Sequence, residues 1–159
     1  ETDDIFPLLS KHFEQIAMAK VSASALEAKE MGYLKNDDVI IANPNELLYV
    51  AKQQAMVLLE SGFKSPLDST FKVVGKAGYA NIMAQIANLY EGHFMSDHDK
   101  YCITSLAKVM TGSEVEENTT VNSQMLLDLE RKYFIELLGT QKTQERIEFM
   151  LRNSKPLRN

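Results

Sequence analysis

The sequence predicts an all-α chain of about seven helices, on two observations. Apolar residues recur at steps of three and four over most of the length, the spacing of one helix face. Five of the seven glycines stand just past such segments, where a glycine can adopt the left-handed backbone conformation that closes a helix. These five are Gly32, Gly62, Gly92, Gly112 and Gly139. These five stops imply five helices, and a leading helix before them and a closing helix after them bring the number to about seven.

The first two helices are predicted from one apolar stripe and one cap. Residues 4–20 place seven side chains on a common face: Ile5, Leu8, Leu9, His12, Phe13, Ile16 and Ala17. The second helix is short. Ser24 is its expected N-cap, Glu27 the capping-box partner and Gly32 the end.

A long third helix follows an extended or irregular stretch over residues 38–42. Asn43 is the expected cap, Pro44 occupies the first turn and Glu46 closes the capping box. The predicted apolar face consists of Leu47, Leu48, Ala51, Ala55, Leu58 and Leu59. Residues 63–74 are less regular: Pro66 breaks the pattern, and a short strand over 71–74 is one interpretation.

The second half of the chain returns to helical spacing near Ala77. Ser96 with Asp99 is expected to cap the next helix. A polar loop over residues 113–120 precedes the last two helices, whose apolar positions fall within 125–151. No internal repeat is present, and short loops favour antiparallel neighbours.

Composition excludes several function classes. With 159 residues, 45% hydrophobic and 25% charged, the chain is typical of a globular domain or part of one. Its net charge of −5 argues against nucleic-acid binding, and no apolar run is long enough to span a membrane. The single cysteine, Cys102, indicates a reducing compartment, hence the cytoplasm. Because Glu1 stands where a start methionine would, we expect a fragment of a longer protein.

The most chemically suggestive cluster is Ser96-Asp97-His98-Asp99. Two carboxylates beside an imidazole can bind a metal or act as an acid/base pair. The cluster stands at a predicted helix start, however, where serine and aspartate accept hydrogen bonds from free N–H groups. We therefore favour capping, and we predict neither a metal site nor a catalytic residue in this chain.

Three further features have two interpretations each. His12 is expected to be a packed histidine with a hydrogen-bond partner, the alternative being a catalytic one. Cys102 is expected to be a small buried thiol, the alternative being a thiolate paired with His98. The stretch 75–78 lacks the phosphate-binding and dinucleotide patterns; its N–H groups could receive an anion, but helix initiation explains it equally well.

Two stretches resemble a known family. Residues 21–34 and then 45–48 look like the crotonase (enoyl-CoA hydratase/isomerase) pattern of Ser-Ala, an alanine three later, then glycine and two apolar residues. The closing stretches are similar to the C-terminus of bacterial fused proteins in which a 3-hydroxyacyl-CoA dehydrogenase precedes a crotonase-type hydratase. They comprise 126–131, 142–147 and 154–159, with 96–99 and 106–112 also fitting.

The resemblance implies the C-terminal helical part of a fatty-acid β-oxidation enzyme that hydrates 2-enoyl-CoA and oxidises 3-hydroxyacyl-CoA with NAD. The family's acid/base glutamates, oxyanion hole and NAD-binding motif would then precede residue 1. Glu14, Glu27 and Glu30 match none of them. The implied partners are the rest of the same chain, the acyl-CoA substrate and further subunits of a homo-oligomer.

The resemblance also implies a lid that covers the CoA site and makes subunit contacts. Matching the family's final Lys-Pro to Lys155-Pro156 puts its CoA-contacting aromatic at Phe134. Its basic position falls on Asn153, a departure, with Arg152 and Lys155 flanking it. The alternative is that Phe134 packs in a core and the tail is solvated.

The expected subdivision follows the same resemblance: 1–62 succeeds the crotonase core, 63–120 is a helical insertion, and 121–159 forms the lid helices and tail. Two other functions stay open. One is an independent helical module that docks on a partner through an exposed apolar helix face. The other is a small metal or thiol enzyme whose candidate residues are Asp97, His98, Asp99 and Cys102.

Overall fold

The computed structural model describes residues 5–65 and 70–159, so the predicted helix start at Asp4 and the predicted break at Pro66 lie outside the described residues. The α-helices of the described residues are α1 (Phe6–Ala17), α2 (Ala25–Glu30), α3 (Leu47–Glu60), α4 (Gly75–Glu91), α5 (Asp97–Thr111), α6 (Ser123–Leu138) and α7 (Gln141–Asn153). Two short strands, β1 (Thr70–Lys72) and β2 (Thr120–Asn122), complete the regular structure. The all-α prediction with about seven helices is confirmed.

The chain divides into two compact units, a larger one of Glu1–Ala19 with Asp68–Asn159 and a smaller one of Lys20–Leu67. In the larger unit, α5 is the central helix and packs against α1, α4 and α6. The buried cluster consists of Phe13, Ile82, Ile86 and Ala107. The apolar stripes of α1, α4 and α5 therefore meet in one core.

The two strands pair antiparallel, with Phe71 opposite Val121. Beyond them, Val73 exchanges backbone hydrogen bonds with Thr119 (3.1 Å) and Asn118 (2.9 Å). The strand β1 overlaps the stretch where a strand was one interpretation. The strand β2 was not predicted. It is only three residues long, and it is stabilised by pairing with β1, which lies far away in the sequence and leaves no local signal.

In the smaller unit, α2 begins with the predicted cap. The Ser24 hydroxyl accepts a hydrogen bond from the Glu27 N–H at 3.1 Å. The return bond of the box is displaced by one residue, since the Glu27 carboxylate accepts from the Ala23 N–H at 2.7 Å. The Ser24 cap is confirmed, and Glu27 accepts from the N–H of the residue before the cap rather than from the cap itself.

The third helix begins differently from the prediction. Asn43 caps a 3₁₀ turn over Pro44–Glu46, and α3 starts only at Leu47. The Asn43 Oδ1 atom accepts from the Asn45 N–H, two residues on, at 3.1 Å. Because that short-range bond tightens the turn, the stretch winds as 3₁₀ before it relaxes into α-helix.

The predicted helix-closing glycines are partly confirmed. Gly32, Gly62 and Gly112 adopt left-handed conformations, with φ of 85°, 71° and 82°. Gly92 and Gly139 do not, since their φ angles are −75° and −69°. At the end of α4, His93 takes the left-handed conformation instead, with φ of 59°. The positions of these helix ends are thus better predicted than their conformations.

Candidate functional site

The cluster at the start of α5 is a complete capping box. The Ser96 hydroxyl accepts from the Asp99 N–H at 3.1 Å, and the Asp99 carboxylate accepts from the Ser96 N–H at 3.1 Å. Asp97 accepts a hydrogen bond from the Tyr90 hydroxyl, while His98 contacts Thr143. The capping interpretation is confirmed. Across residues 5–65 and 70–159, no three histidine, cysteine, aspartate or glutamate side chains are grouped to hold a metal ion.

His98 links the first turn of α5 to the corner between α6 and α7. The side chain is 5% exposed, and its Nε2 atom lies 3.0 Å from Thr143 Oγ1. That hydroxyl lies 2.8 Å from Thr140 Oγ1, which donates to the Leu137 carbonyl at 2.7 Å. The single Thr140 proton has two acceptors within reach, the Leu137 carbonyl and Thr143 Oγ1, and Thr140 Oγ1 also accepts from the Thr143 N–H at 3.4 Å. His98 is therefore attached to a pair of hydroxyl groups that closes the corner between α6 and α7.

An ion pair lies beside His98. Arg146 Nη1 donates to Asp99 Oδ1 at 2.8 Å, and the two side chains are only 21% and 22% exposed. Burial opposes ionisation of Asp99, but hydrogen bonds from Ser96 and Arg146 outweigh it and lower the pKa of this carboxyl. The box, the ion pair and the His98–Thr143 bond together attach α7 to the N-terminus of α5.

The surroundings of His98 predict a pH-dependent stability. Burial, then the positive charges of Arg146 and Lys142, lower the pKa of His98, against the opposing carboxylates of Asp99 and Glu145. An unfolded histidine titrates near pH 6.5, so on acidification below that value the unfolded chain binds a proton that the folded chain resists. Stability is therefore full above about pH 6.5 and falls as the pH drops towards the folded pKa.

We expect the unfolding free energy of the larger unit, from urea titrations, to fall between pH 7 and pH 5.5 by at most about 1.4 kcal/mol per pH unit from His98. The His98→Gln variant is expected to show a shallower dependence, because Gln does not titrate. His12→Gln is the matched control, since His12 is half-buried and bonds Gln15 on its own helix at 2.9 Å. If the unfolding free energy depended on pH equally in the unchanged chain and in both variants, His98 would not be the source of that dependence.

For the remaining candidates, His12 and Cys102, the structure favours the packing interpretation over the chemical one. His12 is a packed histidine with a partner, as expected. Cys102 is half-buried, and burial raises the pKa of its thiol, so it is not primed as a nucleophile. The expected pairing partner of a thiolate, His98, is bonded to Thr143 instead.

Two of the three residues assigned to CoA, Phe134 and Arg152, line separate depressions. Phe134 lines a depression of about 190 Å³ with Cys102, Leu106 and Leu137. Arg152 lines a different one, of about 430 Å³, and pairs with Glu148 at 2.6 Å. Lys155 is exposed, and it makes no hydrogen bond or ion pair within residues 5–65 and 70–159. Phe134 is 58% exposed, so its interpretation as a core residue is wrong, while the CoA contact stays a prediction.

The stretch 75–78 is already bonded within the protein. The Lys76 N–H donates to the Val115 carbonyl at 2.9 Å, and the Gly78 N–H donates to the Val74 carbonyl at 3.1 Å. The Lys76 ammonium also pairs with Glu116 at 2.6 Å. Two of the four N–H groups in this stretch are therefore already used within the protein, as helix initiation requires.

The helix α3 carries an uncovered apolar surface. None of its residues is buried, and Leu48 and Leu59 are 82% and 73% exposed on one side. Val57, on the opposite side of the helix, is exposed as well. A helix that is apolar around most of its circumference is typical of a buried position in a larger assembly.

The comparisons with known proteins point to one relative. No family model and no solved structure matches the chain. It is 44% identical over 149 residues to a probable 3-hydroxyacyl-CoA dehydrogenase of Bacillus subtilis (strain 168). The chain is similar to part of a dehydrogenase. That match takes in 94% of this chain and 19% of the relative, whose name supports the dehydrogenase half of the resemblance and does not mention a hydratase.

The structure also shows site residues that the sequence did not single out. Arg146, Thr143, Glu145 and Asn159 all contact the start of α5 or one another. A polar run in an amphipathic helix reads as a solvated face, so no local signal distinguishes Arg146 from its neighbours. No helix of the described ranges has the length and apolar character to cross a membrane.

Proposed function

We propose that this chain is a helical part of an NAD-dependent 3-hydroxyacyl-CoA dehydrogenase. The observation that carries the proposal is the 44% identity, which runs through 94% of the chain. The relative is about five times longer, since the chain spans 19% of it. The functional side chains of the described residues cap, pair and pack, so we assign NAD binding and hydride transfer to other parts of that enzyme and contacts to this one.

The surface of α3 is the natural place for those contacts. Covering one leucine side chain contributes roughly 1.5–3 kcal/mol. Leu48 and Leu59 stand almost fully exposed on the same side of the helix, and Phe63 just beyond its end is 59% exposed. We infer that other segments of the dehydrogenase pack over α3.

Two finer assignments belong to the same proposal. The crotonase-like stretch 21–34 supports a hydratase activity in the same polypeptide. The exposed ring of Phe134 and the exposed cations of Arg152 and Lys155 suit a CoA nucleotide, which offers an aromatic base and phosphates. In this proposal residues 121–159 serve as lid and subunit contact. In sequence they follow the insertion 63–120 and the segment 1–62.

The test uses the complete polypeptide encoded around these residues. We expect it to reduce NAD⁺ with 3-hydroxybutyryl-CoA, and we expect the 159-residue chain alone to show no turnover. Hydration of crotonyl-CoA by the complete polypeptide tests the hydratase assignment separately. Absence of NAD⁺ reduction would contradict the dehydrogenase proposal and favour the independent module, which the exposed α3 also suits.

In the complete polypeptide, the double change Leu48→Glu and Leu59→Glu is expected to lower the melting temperature by several degrees, because both charges would enter an apolar contact. The matched control, Gln53→Glu with Gln54→Glu, adds the same charge to the same helix on the side away from Leu48. Thermal melts of the three proteins decide the question. If both doubles behave alike, α3 does not pack as proposed.

A further inference from the structure

Residues 154–159, here called the tail, turn back from α7 onto the start of α5. Ser154 ends α7 in a left-handed conformation, with φ of 52°. At the other end of the tail, the Asn159 main-chain oxygen lies 3.0 Å from the Ser96 hydroxyl and 3.2 Å from Arg146 Nη2. The tail therefore reaches the same capping box that begins α5.

The Asn159 side chain is recognised at both ends of its amide. Its Oδ1 atom accepts from Arg146 Nε at 2.8 Å. Its Nδ2 atom donates to Glu145 Oε2 at 2.8 Å and to the Lys142 carbonyl at 3.4 Å. A carboxylate at this position would lose the donor and face Glu145, and an alanine would lose both bonds.

Arg146 joins the two halves of the arrangement. One of its terminal nitrogens holds Asp99, while its Nε and its other terminal nitrogen hold Asn159. The Ser96 hydroxyl likewise lies 3.0 Å from both Asp99 Oδ2 and Asn159 O, so its proton is shared between the box and the tail. The two bonds from Arg146 to Asn159 give the fork geometry that suits a planar acceptor pair.

Apolar burial is only part of the attachment of α7. None of its residues is fully buried: Ile147, Met150 and Leu151 are exposed, and Phe149 is half-buried. The α7 side chains Thr143 and Arg146 contact α5 through hydrogen bonds, to His98 and to Asp99. The attachment of α7 to α5 therefore depends in part on how well these hydrogen bonds are satisfied.

We propose that Ser96, Asp99, Glu145 and Arg146 form an asparagine-specific peptide-binding cradle, which the tail fills in cis and whose occupancy fastens α7 to α5. The partner it fits is a peptide segment that presents an asparagine carboxamide together with the main-chain oxygen of the same residue. An empty cradle leaves the Asp99–Arg146 pair intact but removes the bonds that connect it to residues beyond α7.

The first test is amide hydrogen exchange of the 159-residue chain with Asn159→Asp. We expect the α7 amides to exchange about tenfold faster, the effect of losing one hydrogen bond to a charged group, while the α4 amides around Ile82 are unchanged. Asn153→Asp is the matched control, because the Asn153 side chain donates to the Phe149 carbonyl of its own helix and bonds to no other helix among the described residues. Unchanged exchange in α7 would overturn the proposal.

The second test separates recognition of the tail from a general loss of helix end. The chain shortened to residue 153 is titrated with a peptide of residues 154–159, and binding is followed by the recovery of α7 protection. We expect the peptide with Asn159→Asp to bind at least tenfold more weakly, and the peptide with Lys155→Ala to bind within twofold, since Lys155 is exposed and bonds to none of the described residues. Equal binding of all three peptides would overturn the specificity, and no recovery with any would overturn the cradle.

Discussion

Replacing Ile82 by alanine is expected to lower the unfolding free energy of the larger unit by about 3 kcal/mol. Ile82 is fully buried at the point where α4 faces Phe13 of α1 and Ala107 of α5. Removing its side chain forfeits the transfer free energy of three carbons and leaves a cavity, because three helices fix the surrounding atoms. Urea unfolding followed by far-UV circular dichroism measures the loss.

The matched control for that change is Ile135→Ala. Ile135 is the same residue type in the same unit, but its side chain on α6 is 60% exposed. We expect a loss below about 0.5 kcal/mol, as for other surface substitutions. Comparable losses at residues 82 and 135 would mean that the core is not where α1, α4 and α5 meet.

Gly75→Ala is expected to cost about 3 kcal/mol for a different reason, the backbone. Gly75 begins α4 with φ of 52°, a conformation that disfavours any side chain. An added Cβ would lie 2.3 Å from the Val115 carbonyl oxygen and 2.7 Å from the Glu116 backbone. Because those atoms are main chain, they cannot rotate away, and the loop must shift. The same urea titration reports the effect.

Two glycine controls separate the free-energy cost of the positive φ from the cost of the close contact with Val115. Gly62→Ala is expected to lose about 1 kcal/mol in the smaller unit, since φ there is 71° but no atom lies within 4 Å of the added Cβ. Gly139→Ala is expected to change stability by less than about 0.5 kcal/mol, because its φ of −69° suits alanine and its nearest atom is 3.4 Å away. A loss at Gly75 no larger than at Gly62 would show that the close approach to Val115 relaxes freely.

The helices were predictable because the signals that start and stabilise each of them lie within its own sequence. A cap such as Ser96 with Asp99 needs only four residues of sequence, and a helical stripe needs about two turns. Burial was less predictable. The stripe of α1 is continuous in sequence, yet Phe13 is buried while Leu8 is exposed, because burial depends on which neighbouring helix covers each position.

The candidate site was predictable only in its local part. The capping role of Asp99 followed from its place at a helix start, but its partner Arg146 lies on a different helix and no spacing rule connects them. A solvated tail, the alternative interpretation of the last residues, is what a polar residue after a helix end usually forms, and Asn159 departs from it. Its bonds to Arg146 and Glu145 come from tertiary structure alone.

The short sheet has a consequence for the order of folding. It joins residue 70 to residue 122, so it closes a loop that contains the whole of α4 and α5. Closing so long a flexible loop for three paired residues is entropically unfavourable, so we expect the packing of α4 against α5 to bring the loop ends together first. The strands should therefore belong to the late side of the folding barrier, acting as a clasp on a helical hairpin that is already formed.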